Sequence, residues 1–193
     1  MLNKIIKTGY IPLFAICCLI TACNSQKKEL QEKIEKLQSK AIEIPYKQMA
    51  CWASDSVIAI SPWNKAKLKL IHYVDSETCS SCYLHKIATN ELLFRMEKLS
   101  DNIFYNIFII NPNNKTKKRL ETDYHDKAIP QTIFIDSANI FMQLNPNVPS
   151  ESIYHTFLLD ENNKIILVGD PMTNPKVKDL MVAIVEKKLR KKL

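Results

Sequence analysis

Apolar and polar residues alternate along this chain in rhythms that separate helices from strands. From Asn24 to Lys40 no proline or glycine intervenes, and Leu30, Ile34, Leu37 and Ala41 recur at 4-3-4 spacing, the stripe of an amphipathic helix. Glu29 with Lys33 and Glu32 with Lys36 stand in the favourable i,i+4 orientation. Two heptads fall short of the roughly 3–4 that argue for a coiled coil. The spacing therefore predicts a helical stalk, ended by Pro45, rather than a dimer zipper. Residues 42–64 are mixed, with a candidate strand at Val57 to Ile60 and a turn at Ser61-Pro62.

Beyond this point the punctuation is regular. Leu68 to Val74 reads as an apolar strand, and Cys79 to Leu99 as one helix with Leu84, Ile87, Ala88, Leu92 and Leu99 on one side. Ile103 to Ile110 is nearly continuous apolar sequence, as buried parallel strands are. Asn111-Pro112-Asn113-Asn114 breaks it, and Lys115 to Lys127 reads as a polar helix. Thr132 to Asp136 is a strand, while Ser137 to Leu144 fits either a short helix or another strand. Thr156 to Leu159 and Lys164 to Val168 form a hairpin in which Asn supplies the positive φ that glycine usually would. Asn174-Pro175 marks an N-cap with proline at N1, opening a helix to Lys192 that turns Val177, Leu180, Met181, Ile184, Val185 and Leu189 inward. Strands and helices in this order predict an α/β domain over residues 46–193.

Residues 1–22 do not belong to that pattern. Lys4 and Lys7 give a basic start, Ile11 to Ile20 is a short apolar stretch, and Ile20-Thr21-Ala22-Cys23 follows. The alternatives for a leader of this shape are an ordinary secretory signal with a free cysteine and a lipoprotein signal peptide ending at Cys23. The 193 residues include 46% hydrophobic and 24% charged positions and only two glycines. Without the leader only Gly169 remains, which excludes glycine-rich phosphate cradles and dinucleotide fingerprints. The net charge of +7 sits partly in Lys187, Lys188, Arg190, Lys191 and Lys192 at the end of the last helix, where cations complement the dipole. An extracytoplasmic chain gives those lysines no nucleic acid to meet.

Removing the leader also leaves three thiols besides Cys23: Cys51, Cys79 and Cys82. Cys79-Ser80-Ser81-Cys82 lies where the first core strand hands over to its helix. A helix N-terminus favours a thiolate. A dipole contribution of about 0.3–2 kcal/mol corresponds to a pKa depression on the order of one unit at Cys79, and Cys82 is expected to be the less exposed of the two. The pattern predicts a reducing or intermediate potential. A structural disulfide is the alternative, although so short a loop contributes only about 2 kcal/mol. His85 extends the run to C-x-x-C-x-x-H. It leaves open a metal site completed by Cys51, His72, His125 or His155, but His85 is i+6 from Cys79 and points away from it on a helix. No metal ion and no cofactor are expected.

Two resemblances sharpen this reading. Ile20-Thr21-Ala22-Cys23 resembles the lipobox of bacterial lipoproteins, which implies acylation of Cys23 and a lipid-anchored linker over residues 23–45. Asn24 after that cysteine implies a periplasm-facing protein, at the outer membrane in preference to the inner. Strand, C-x-x-C helix, Thr156-Phe157-Leu158-Leu159-Asp160, tight turn, Lys164-Ile165-Ile166 and closing helix resemble the thioredoxin-like thiol–disulfide oxidoreductases of the TlpA type. The resemblance covers about Leu68 to Leu193, with Val57 to Ile60 as the extra N-terminal strand. It implies a thioredoxin-like fold, a central mixed sheet flanked by helices, behind an N-terminal helical stalk. It also implies Cys79 as the attacking and Cys82 as the resolving cysteine, with protein disulfides as substrates and a membrane or periplasmic thiol as electron donor.

Thr78 stands where that family often carries an aromatic residue, and no proline separates the two cysteines. The family's cis-proline position, which docks substrate, falls on Tyr154 or His155, or on Pro130 if Pro130-Gln131-Thr132-Ile133-Phe134-Ile135-Asp136 is the matching motif. A non-proline cis bond costs about 2.5–4 kcal/mol, so a trans bond is expected at Tyr154 and His155. The rival reading is a non-catalytic binding lipoprotein on the same fold. Cys23→Ala is expected to abolish incorporation of labelled palmitate and to move the protein from the membrane to the soluble fraction; unchanged labelling would refute the lipobox.

Overall fold

The computed structural model describes residues 27–52, 63, 66–101, 103–113, 115, 117–127, 129, 131–190 and 192. The leader, Cys23, the candidate strand Val57 to Ile60 and Pro130 lie outside the described residues. Among the described residues six strands form one sheet in the order β1-β4-β3-β2-β5-β6. They are β1 Ala50–Trp52, β2 Leu68–Val74, β3 Phe104–Ile110, β4 Ile133–Ile135, β5 Thr156–Leu159 and β6 Ile165–Val168. β2, β3 and β4 run parallel, and β1, β5 and β6 antiparallel to their neighbours.

Every residue of β2 and β3 is buried, which is why both read as apolar runs rather than alternations. On one face of the sheet lie α2 Ser80–Ala88, α3 Glu91–Leu99, α4 Lys117–Asp126 and α6 Pro175–Leu189, packing onto Leu68, Leu70, Val74, Phe104, Phe108 and Ile110. On the other face α5 Ile140–Leu144 and the N-terminal helix α1, residues 27–38, pack onto Ile71, Tyr73, Ile107, Ile109 and Phe157.

Several expectations are corrected here. The single helix from Cys79 to Leu99 is two, because the Asn90 side chain accepts from the Leu93 N–H at 3.2 Å and caps a new helix. Ser137 to Leu144 resolves as the short helix α5, whose first N–H groups, of Ile140 and Phe141, donate to the buried Asp136 carboxylate at 2.8 Å each. Leu180 is 56% exposed; the inward face of α6 is narrower than its sequence stripe and centres on Met181 and Val185. Asn163 and Gly169 do take positive φ, at 59° and 125°, and Asn174 does cap α6.

The larger correction concerns the stalk. The last turn of α1 is embedded in the domain. Leu37 is fully buried, Ile34 packs beside it, and Ile42 lies in the same core cluster. Polar clamps hold the segment down: Asn147 Nδ2 donates to the Leu37 carbonyl at 2.9 Å, and Asn145 both accepts from Glu43 N and donates to Glu43 O at 2.8 Å. Lys33 reaches Glu151 at 2.6 Å as well as its helical partner Glu29. Ile34 and Leu37 of the stripe are therefore a docking face, while Leu30 and Ala41 stay exposed. Leu37→Ala is expected to cost about 2–5 kcal/mol, against less than about 0.5 kcal/mol for Leu30→Ala at the exposed end. Urea midpoints check this, and equal small effects would restore a free-standing stalk.

Candidate active site

The site begins where β2 ends. Asp75 follows Val74 and folds its own side chain over the next three residues. Its Oδ1 accepts from Glu77 N (3.1 Å), Thr78 N (2.8 Å) and Thr78 Oγ1 (2.8 Å), a side-chain-led turn of the kind Asp favours. This delivers Cys79 to the N-cap of α2, where its Sγ accepts from the Cys82 N–H at 3.3 Å. Cys79 and Cys82 are joined as a disulfide with a Cα–Cα distance of 5.3 Å. Both are exposed, and they border an open cavity of about 340 Å³ shared with Ser76, Thr78, Asn113 and Arg119.

Exposure of Cys82 departs from the expectation that it would be tucked away. Because Cys79 is itself the cap, the helix starts at Ser80, and its buried positions are Ser80, Leu84 and Ile87. Cys82 lies about 200° around the helix from Ser80. Ser81 points towards α4, where its hydroxyl bonds the Asp123 carboxylate and holds that acid below its ordinary range.

Behind the disulfide, Tyr83 ties α2 to the sheet. Its hydroxyl lies 3.0 Å from His72 Nδ1 and also bonds the Thr156 side chain. Burial keeps the phenol far above its usual range, so it remains protonated. His72 is fully buried, stacked on Phe108 with ring centroids 4.6 Å apart. One turn further along α2, Lys86 pairs with Asp170 at 2.5 Å and lies over the Tyr83 ring. A second cavity, of about 300 Å³, opens among Thr78, Tyr83, Ile153, Thr156, Asp170 and Thr173.

A solution structure of a thioredoxin-like protein in the oxidised form superposes on this chain with a TM-score of 0.50 at 16% identity, covering 79% of this chain and 98% of that one. The fold is thioredoxin-like. Other similar structures are the thioredoxin domain of a thiol–disulfide oxidoreductase from Bacteroides vulgatus (14% identity, TM-score 0.46, 63% of this chain and 81% of that one) and the bacterioferritin comigratory protein of Xanthomonas campestris (10% identity, TM-score 0.47, 78% and 99%). No protein-family model and no curated protein matches the sequence.

In thioredoxin-like terms, the C-x-x-C pair is at the expected strand-to-helix junction, and the segment before β5 shares the second cavity with Thr78 and Tyr83, the residues flanking that pair. Tyr154 and His155, expected to dock substrate there, turn their side chains inward. Tyr154 joins the core beside Tyr73 and Phe157, and His155 packs against Asp75. Ile153 is the large apolar side chain this segment shows to solvent, at 69% exposure. No peptide bond among the described residues is cis. The expected extra strand, Val57 to Ile60, lies outside the described residues; among those described, the N-terminal strand is Ala50–Trp52. It places half-buried Cys51 opposite Phe134 at the sheet edge, with β4 and β3 between it and β2. At about 4.8 Å per strand this is on the order of 14 Å from β2. Burial raises the Cys51 thiol pKa. His85 and His125 are exposed on separate helices. Among the described residues no three His, Cys, Asp or Glu side chains gather as a metal site. Sequence reasoning missed Tyr83, Ile153 and the Lys86–Asp170 pair, because each gains meaning only from a partner remote in the chain.

Burial lowers the His72 pKa to about 3, whereas in the unfolded chain it takes a proton near the usual value of about 6.5. Between those values the unfolded state binds more protons. The contribution is therefore complete above pH 6.5 and drains away as pH falls towards 3. Folding stability is expected to drop by about 2 kcal/mol between pH 6.5 and 5, at ~1.36 kcal/mol per unit. His72→Phe should flatten that slope, as urea titrations at each pH would show.

Proposed function

We propose that the protein carries out thiol–disulfide exchange through Cys79 and Cys82, as a disulfide reductase anchored by lipid on Cys23 and facing the periplasm, at the outer membrane in preference to the inner. In the reduced state the Cys79 thiolate attacks a substrate disulfide. A mixed disulfide forms at Cys79 and one substrate sulfur leaves as thiolate. The Cys82 thiolate then attacks Cys79 Sγ, closing the Cys79–Cys82 disulfide and releasing the second substrate sulfur. The substrate gains two electrons and the protein loses two. A dithiol donor in the membrane or periplasm returns them. Oxidised protein substrates are the natural class, since the disulfide borders one open cavity and a second, lined by Thr78, Ile153 and Thr173 among others, opens beside it. In this reading Tyr154 and His155 contribute to docking by fixing the segment that presents Ile153, not by touching substrate with their side chains.

One observation carries this reading: both cysteines are exposed at the N-terminus of α2, where attack from solvent and a favourable helix dipole coincide. A bridge placed there for stability alone would contribute only about 2 kcal/mol. The sorting residue Asn24 and the lipobox support the location.

Cys82→Ser is expected to accumulate mixed disulfides through Cys79, visible on non-reducing gels and absent from the Cys79→Ser, Cys82→Ser double variant. Absence of adducts, with a Cys79–Cys82 potential below about −300 mV, would make the bridge structural.

A further inference from the structure

We propose that His155 is a positioning residue for the cysteine loop: when its Nδ1 carries a proton it holds Asp75, and Asp75 holds the turn that delivers Cys79. The proposal rests on reading Cys79 and Cys82 as the redox pair. His155 is 3% exposed and sits directly before β5. Its Nε2 lies 3.0 Å from the Pro149 carbonyl. A carbonyl only accepts, so Nε2 bears the hydrogen and Nδ1 is the ring's titratable atom. Nδ1 faces Asp75 Oδ2 at 3.4 Å and has no other hydrogen-bond partner among the described residues. The other oxygen of the same carboxylate, Oδ1, is the one that accepts three hydrogen bonds from Glu77 and Thr78.

Each state of the imidazole thus does something different to the turn. Neutral, it sets a lone pair against a carboxylate oxygen, and Asp75 is held on one side only. Protonated, it makes a charge-assisted hydrogen bond, which is about twice as strong as a neutral one, and Asp75 is held from both sides. Oδ1 already accepts three bonds, so Oδ2 is the oxygen that receives the new proton.

The groups facing His155 from its neighbours are Asp75 on the turn, Glu151 on the segment before β5, and the Tyr73 ring on β2, edge-on at 5.1 Å between centroids. Burial lowers the imidazole and wins over the two carboxylates and Pro149, which raise it. Protonation therefore falls on the acid side of about 6.5. The Tyr73 N–H donates to the His155 carbonyl at 2.9 Å and fixes the backbone that carries the ring, while the Pro149 carbonyl holds Nε2.

Nuclear magnetic resonance titration of the oxidised full chain from pH 8 to 5 tests this. The His155 ring nitrogens are expected to gain a proton with a midpoint below about 6.5, and the Glu77 and Thr78 amides to shift with the same midpoint. Asp75→Asn should move the His155 midpoint lower still, because the facing anion is gone. His155→Gln should abolish the amide step. The rate at which a phosphine reduces the disulfide should show the same midpoint in the parent and none in His155→Gln. Amides that ignore the His155 titration overturn the proposal, as does an amide step that survives His155→Gln. Because the parent titration needs no variant, a misfolded His155→Gln protein leaves the question decidable. Co-titrating amides in a protein whose Cys82→Ser variant traps no adduct sustain the positioning and refute the redox reading instead.

Discussion

A strand held along its whole length sets the position of the cysteine pair in this molecule. Leu68–Val74 is buried along its whole length and hydrogen-bonded on both edges, to β3 over seven residue pairs and to β5 over four. Its C-terminal end is therefore a fixed point. The chain must leave the sheet there, and Asp75 decides how: one carboxylate oxygen gathers three donors and turns the backbone so that Cys79 begins a helix. The exposed disulfide is the outcome of those two constraints acting in series.

The same strand anchors the site from behind. His72, on the helix-covered face, meets Tyr83 one residue beyond Cys82, and Tyr83 in turn meets Thr156 on β5. Tyr73, on the opposite face, donates through its hydroxyl to Asn139 and stacks on Phe141. Burying a histidine this way costs acid tolerance, since the ring is neutral in the folded state and basic in the unfolded one. What it contributes is a polar link between the cysteine helix and the sheet at a point where apolar packing alone would let the helix slide.

How much of this was legible in the sequence follows from where each signal is stored. β2, β3, the β5–β6 hairpin and the capped start of α6 are written in contiguous residues, through apolar runs, turn-forming Asn and the Asn174-Pro175 pair. All were readable. The break between α2 and α3 was written too, in Asn90 before Glu91, but no proline or glycine advertised it. The docking of α1 was not local at all, since a Leu37 stripe looks the same whether it meets a core or solvent. Partners more than 100 positions away, Asn145, Asn147 and Glu151 among them, settle its fate. The exposure of Cys82 turned on helical phase. Cys82 stands about 200° around the helix from both Ser80 and Leu84, the positions that the core takes. His155 was legible as a departure from proline but not as the neighbour of Asp75, a contact between the end of β2 and the start of β5, which are remote in the chain.

The distribution of strand lengths has a consequence of its own. The two seven-residue strands, the ones most able to template foreign chains, are interior, while the sheet ends in a three-residue β1 and a four-residue β6 beside a register irregularity at Leu158 and Leu159. Gln38 from α1 also reaches across to the Ile165 carbonyl. Short, bulged and partly capped borders offer little backbone for intermolecular pairing. The architecture thus keeps its most adhesive segments sealed against self-association at high local concentration.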